Sequence, residues 1–177
     1  MDGIEITLPQ MLDCRERRNS LQNEMLRRYG KPVISFCMNI PGPVKTNPQI
    51  CAAFMSGKRD LTTALRKHGY AILQETELHE ATGDEWIAAV DAEAGRIKEL
   101  TTEIENRHPA GRLFDMDVIA SDGNKLSRGS FRKCLLCDKQ AQECARSRTH
   151  SVQEMQEAVE RILLRLPAPV PSGPESC

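Results

Sequence analysis

The sequence predicts an α+β fold: a ferredoxin-like, split β-α-β mixed sheet with an extra N-terminal helix and a Cys-rich turn plus helix at the C-terminal end. Three observations carry this. The apolar periodicity runs strand, helix, strand-strand hairpin, helix, strand, so each half of the pattern has one crossover helix. A helix-spaced segment precedes the first strand. After Arg132 the composition changes to a cysteine cluster followed by a capped helix.

The first helix starts at Thr7-Leu8-Pro9-Gln10, where Thr7 caps, Gln10 reaches back and Pro9 fits the first turn. It runs to about Tyr29 and stops at Gly30. Leu8, Met11, Leu12, Leu21 and Met25 recur at helical spacing and are expected to face the core. Arg15, Arg18 and Gln22 share a stripe, which on spacing alone reads as a solvated face. Val33 to Ile40 is a near-continuous apolar run, consistent with a buried strand. It ends in Pro41-Gly42-Pro43-Val44-Lys45, a stiff loop expected to aim Lys45 from the strand end, where binding groups commonly sit.

Asn47 caps a second helix, from about Pro48 to His68, with Ile50, Phe54, Leu61 and Leu65 inward and Gly57 a candidate kink. Tyr70 to about Glu80 and Trp86 to Val90 form a hairpin around Thr82-Gly83-Asp84. A third helix follows from about Asp91 to Arg107, ended by Pro109 and Gly111.

The next stretch, H-P-A-G-R-L-F-D-M-D-V-I from His108 to Ile119, holds the chemistry. In a strand, Phe114, Met116 and Val118 share the inward face, and Asp115 and Asp117 share the other, their Cα atoms about 6.6 Å apart. Two carboxylates that close call for a cation, and Mg²⁺, which prefers carboxylates with phosphate oxygens, is the expected one. An acidic, solvated edge strand is the bland alternative. Arg112 stands in the turn before the strand. The turn Ser121-Asp122-Gly123-Asn124 returns the chain through Lys125 to Arg128, bringing a second cation back. His108 is a general-base candidate beside a plainer role, an entry-turn histidine bonded to backbone.

Cys134, Cys137, Cys144 and His150 form C-x2-C-x6-C-x5-H, ligand types for a structural Zn²⁺, though shorter in spacing than common fingers. Buried free thiols or a redox pair are the alternatives. Ser151-Val-Gln-Glu154 is a capping box opening a last helix to about Leu166. Residues 1–166 are expected to form one domain and the Pro-rich residues 167–177 a disordered tail.

Composition narrows function. With 177 residues and net charge −1, no basic field argues for nucleic acid, and 4% aromatics argues against base stacking. No run approaches the roughly 18 apolar residues of a membrane span. Seven cysteines with no secretory signal point to the reducing cytoplasm.

The D-M-D stretch, Ser127-Arg128, C-L-L-C with Cys144-Ala145-Arg146, P-G-P-x-K at Pro41 to Lys45 and R-x-x-R-x-x-x-Q at Arg15 to Gln22 together resemble the citrate lyase holo-[acyl-carrier-protein] synthase family, to about Leu166. The resemblance implies a transferase that moves 2′-(5″-triphosphoribosyl)-3′-dephospho-CoA onto a serine of the citrate lyase acyl-carrier subunit, releasing pyrophosphate. It implies Asp115 and Asp117 on Mg²⁺, Arg112, Arg128 and Lys45 on the leaving charge, and Arg15 and Arg18 on the triphosphate or the carrier protein. A weaker similarity to pterin pyrophosphokinases, which carry a G-x-R-x-x-D-x-D-like strand, leaves an ATP-dependent pyrophosphokinase as the runner-up. A non-catalytic, zinc-stabilised adaptor of citrate lyase is the third reading.

Overall fold

The computed structural model describes residues 1–166. The expected tail, 167–177, lies outside the described residues. The order is α1 (Leu8–Tyr29), β1 (Val33–Met38), α2 (Pro48–Lys67), β2 (Ala71–Glu80), β3 (Gly83–Asp91), α3 (Ala94–Arg107), β4 (Phe114–Ile119), α4 (Ala141–Ser147) and α5 (Val152–Leu163). A 3-10 turn, Gly111–Leu113, leads into β4.

The four strands form one sheet in the order β2-β3-β1-β4. Every neighbouring pair is antiparallel, so no parallel pairing enters the ladder. The expected mixture of directions resolves in this way because β3 is inserted between β1 and β2, the two strands that the first crossover makes parallel.

Strand alternation divides the sheet into two faces. Ile34, Phe36, Trp86, Ala88, Val90, Phe114, Met116 and Val118 pack with Phe54, Leu61, Leu65 and Ile97 of α2 and α3 into the main core. The other face carries α1. There Val33, Ile87, Ala89 and Ile119 pack against Met25, Leu21 and Tyr29 in a smaller cluster.

The capping box at Thr7 and the left-handed Gly30 bound α1 as expected. Its buried face differs. Cys14 and Met25 are buried, while Leu8 is 71% and Leu12 47% exposed. At about 100° per residue, Cys14 and Met25 lie only about 20° apart around the helix, whereas Leu12 lies about 160° from Cys14. The expected apolar set therefore straddled two faces. β3 begins at Gly83, three residues earlier than expected, because β2 pairs with it from Ala71 to Glu80, interrupted only by a bulge at Leu73. It also runs through Asp91, and Glu93 then caps α3, whose start is accordingly later. The return after Ser121 makes no strand: Lys125 bridges Ile119 alone, and Leu126 donates once to Val118 O. The short helix α4 within the cysteine cluster carried too few residues to show periodicity. Among the described residues no helix is long and apolar enough to cross a membrane.

Gly57 does not kink α2. A Cβ there would stand 2.6 Å from Phe114 Cζ and 3.0 Å from Phe36 Cζ, so the glycine is required by the close approach of α2 to the sheet. Gly57→Ala gains about 1 kcal/mol in helix propensity but overpacks the core, at a cost of about 1–3 kcal/mol. Net destabilisation in urea unfolding is expected; a more stable variant would show that the two rings yield freely.

Candidate active site

The acidic face lies under the N-terminal half of α1. In the sheet register Cys37 of β1 pairs with Glu85 of β3 on one side and Asp115 of β4 on the other. One row of the ladder thus reads Glu85, Cys37, Asp115. The next inward position on the same face pairs Ser35 with Asp117. Phe114, Met116 and Val118 are at most 1% exposed, so the strand's register is fixed and both aspartates must face α1.

Each group on this face has a defined partner. Asp117 pairs with Lys125 from the following turn. Burial, and then the charge of Asp117, hold the Asp115 carboxyl above the usual range, while Lys125, Arg132 and Arg18 pull the other way. Burial pushes the Cys37 thiol up to about 12, so it keeps its proton and donates weakly to Asp115 Oδ2 at 3.9 Å. Glu85 is 2% exposed. Its Oε1 accepts from Arg18 Nε at 2.8 Å and from Cys14 Sγ at 3.0 Å. Its Oε2 is buried without a partner. Burial, the largest influence on Arg18, disfavours its charge; the Glu85 carboxylate that it bonds outweighs this, and the guanidinium is held more firmly protonated than usual. Gln22 Nε2 donates to Ser35 Oγ at 2.8 Å. The Arg18/Gln22 stripe is therefore the wall of this face and not a solvated surface, while Arg15 stays exposed.

Three expected cations sit elsewhere. Lys45 folds back on its own loop, donating to Ile40 O at 2.7 Å, and burial and Arg15 lower its pKa. Arg112 is in the entry turn, but its guanidinium donates to the carbonyls of Lys133 and Cys134, the latter at 3.1 Å. Arg128 reaches Glu105 at 3.2 Å and Asn106 at 2.8 Å, along α3 rather than toward Asp115. Its place beside Asp117 is taken by Lys125, which lies nearer the turn and so reaches the strand before the chain diverges. His108 is the plain entry-turn residue: Nδ1 accepts from Ala110 N at 3.0 Å, Nε2 meets Ser56 Oγ at 3.0 Å, and burial lowers its pKa. Glu85, Lys125 and Arg132 were missed. Alternation extended back from Ile87 and Ala89 would have placed Glu85 on the acidic face; the cations depend on side-chain reach, which sequence does not record.

The cysteine cluster assembles as its spacing suggested. The ligand atoms of Cys134, Cys137, Cys144 and His150 all lie within 4.8 Å of one another. Cys137 Sγ is 3.5 Å from Cys144 Sγ and 3.4 Å from His150 Nε2. Tetrahedral ligands about 2.3 Å from an ion stand about 3.8 Å apart, so this set fits a metal. Burial opposes ionisation of Cys134, but the Leu136 and Cys137 amides directed at its sulfur, with the neighbouring thiols, bring its pKa below the ordinary value.

Residues 6–166 match the family described as apo-citrate lyase phosphoribosyl-dephospho-CoA transferase. A protein of that name from Citrobacter koseri is 35% identical over 162 residues, covering 89% of this chain and 88% of its own. One from Escherichia coli is 34% identical over the same shares.

The Arg18–Glu85 pair gives a direct test. Arg18→Met strands a buried carboxylate, at a cost of about 3 kcal/mol in unfolding free energy. Arg18→Met combined with Glu85→Gln should recover a large part of that loss. A double variant no more stable than the single would show that the two side chains do not act as a pair.

Proposed function

The chain belongs to the apo-citrate lyase phosphoribosyl-dephospho-CoA transferase family, and from that premise we propose how it works. It transfers 2′-(5″-triphosphoribosyl)-3′-dephospho-CoA to a serine of the citrate lyase acyl-carrier subunit. The serine oxygen bonds to the phosphorus on the ribose 5″ oxygen, and the bond to the departing pyrophosphate breaks. The observation that carries this reading is the placement of Asp115 and Asp117 together on one sheet face, turned from the core and walled by Arg18.

Such transfers rest on positioning and charge stabilisation more than on covalent help. Asp115 and Asp117 would hold Mg²⁺, which supplies positive charge to the phosphates; two carboxylates on one face, with the charge of one raising the pKa of the other, suit a hard cation. Lys125 pairs with Asp117 as its counter-charge and would meet a phosphate oxygen at the site. Arg18 fixes Glu85, keeping the far end of the row negative and rigid. Arg15, exposed on the same helix, is placed to meet the carrier or the triphosphate. Lys45, bonded within its loop, shapes the neighbouring wall. The cysteine cluster would hold Zn²⁺ as a structural ion, which suits a reducing cytoplasm because its thiols must stay unoxidised.

The test is to incubate the protein with the precursor, Mg²⁺ and apo-carrier and to weigh the carrier by mass spectrometry. A gain matching the transferred group is expected; no gain, with the precursor unaltered, overturns the reading. Asp115→Asn and Asp117→Asn should each slow transfer at least about a hundredfold, the scale of one lost electrostatic contact. Melting temperatures should hardly move, since neither side chain enters the core. Near-parental rates at saturating Mg²⁺ in either variant would remove the carboxylate pair from the chemistry. For the metal cluster, elemental analysis should find about one zinc per chain, and chelation should lower the melting temperature because binding and folding are coupled. Metal-free protein that melts at the same temperature would leave the cluster as packed thiols.

A further inference from the structure

The exposed edge of β4 is covered from α3. Glu105 Oε1 accepts from Met116 N at 2.9 Å, and Lys98 Nζ donates to Met116 O at 3.1 Å. Those two charges already balance. Yet Arg128 and Arg132 also close on Glu105, each at 3.2 Å. Arg112 is tied to the same segment: its guanidinium donates to the carbonyls of Lys133 and Cys134, and Arg132 Nη2 reaches back to Gly111 O at 3.5 Å. Four cations therefore gather where one carboxylate is in direct contact. Arg128 Nε is also buried without a partner. Like charges that crowd together, one with an unused N–H, are unfavourable unless an anion occupies the space they face. Arg128 and Arg132 side chains remain 19% and 18% exposed, so a ligand can reach them.

We propose that Arg112, Arg128 and Arg132 form a binding site for the oxygens of a pyrophosphate or diphosphate group. Guanidinium forks match such oxygens two at a time. The site borders the carboxylate pair, since Glu105, which Arg128 and Arg132 contact, accepts from the N–H of Met116, the residue between the two aspartates. Two sources carry this chemistry: the departing pyrophosphate end of the precursor, and the diphosphate within its dephospho-CoA part. Naming these sources rests on the transferase reading; the anion site itself rests on the charge cluster.

The test is calorimetric titration of the full-length, metal-loaded protein with inorganic pyrophosphate, and separately with dephospho-CoA. Arg132→Gln and Arg128→Gln are compared with the parent. At least tenfold weaker binding of one ligand in either folded variant is expected, and the ligand affected identifies the source. Unchanged binding of both ligands in both variants overturns the proposal. Should a glutamine variant fail to fold, Arg132→Lys and Arg128→Lys keep the charge and lose the fork; they should bind more weakly than the parent, and parental affinity overturns the proposal equally. Carrier modification by the parent separates this from the reading above. Arginine-dependent pyrophosphate binding without carrier modification keeps the site and removes the reading; carrier modification with parental affinity in the variants does the reverse.

Discussion

The register of β1 between β3 and β4 is the constraint on which the rest depends. β1 is central, and its odd-numbered residues from Val33 to Cys37 face α1 while its even-numbered ones face α2 and α3. A slip of one residue would turn Ser35 and Cys37 into the main core and move Ile34 and Phe36 out of it to the α1 face, among the carboxylates, which the loss of apolar packing forbids. With that register held, Glu85 and Asp115 fall in one row on either side of Cys37. The α1 face is then graded along its length. It is apolar beneath Met25 and Leu21, and it carries carboxylates beneath Cys14 and Arg18. One helix thus does two jobs, packing with one half and supplying a counter-charge with the other.

What could be read from sequence follows the same division. The alternation of Phe114, Met116 and Val118 with two aspartates assigned faces without any tertiary information, and the structure agrees residue for residue. The caps at Thr7, Asn47 and Ser151 were equally local and equally legible. Long flexible cations were not. Lys45 turned to a carbonyl five residues away, Arg112 to carbonyls more than twenty residues on, and Arg128 to α3, because each satisfied the nearest acceptor left by the fold. Arg18 shows the opposite error. Its partner, Glu85, is 67 residues away, so its stripe looked solvated from spacing alone.

Glu105 illustrates how a buried charge can be structural and electrostatic at once. An edge strand leaves a backbone N–H and C=O open to pairing with other chains. Here Met116 spends both on α3 side chains, which closes that edge. The carboxylate that does this is buried, and burial pushes its pKa up in spite of the cations around it. An unpaired charge there would be costly. Its arginine partners offset that cost, and their number exceeds what the carboxylate alone requires.

The segment that supplies those arginines is also the one that begins the cysteine cluster. Arg132 precedes Cys134 by two residues and directs Nη2 toward Gly111 O at 3.5 Å, while Arg112, next to Gly111, donates to the carbonyls of Lys133 and Cys134. The two ties run in opposite directions between the same short stretches, so each stretch fixes the other. Cys134 N further donates to Lys139 O at 2.8 Å, closing the knuckle whose sulfur atoms converge with His150. Order in the cluster is therefore passed through these three arginine-to-carbonyl bonds to the turn that launches β4. The position of Asp115 depends on that turn. A cluster with no contact to the carboxylates still bears on them, because the chain between Gly111 and Phe114 is too short to move at one end alone.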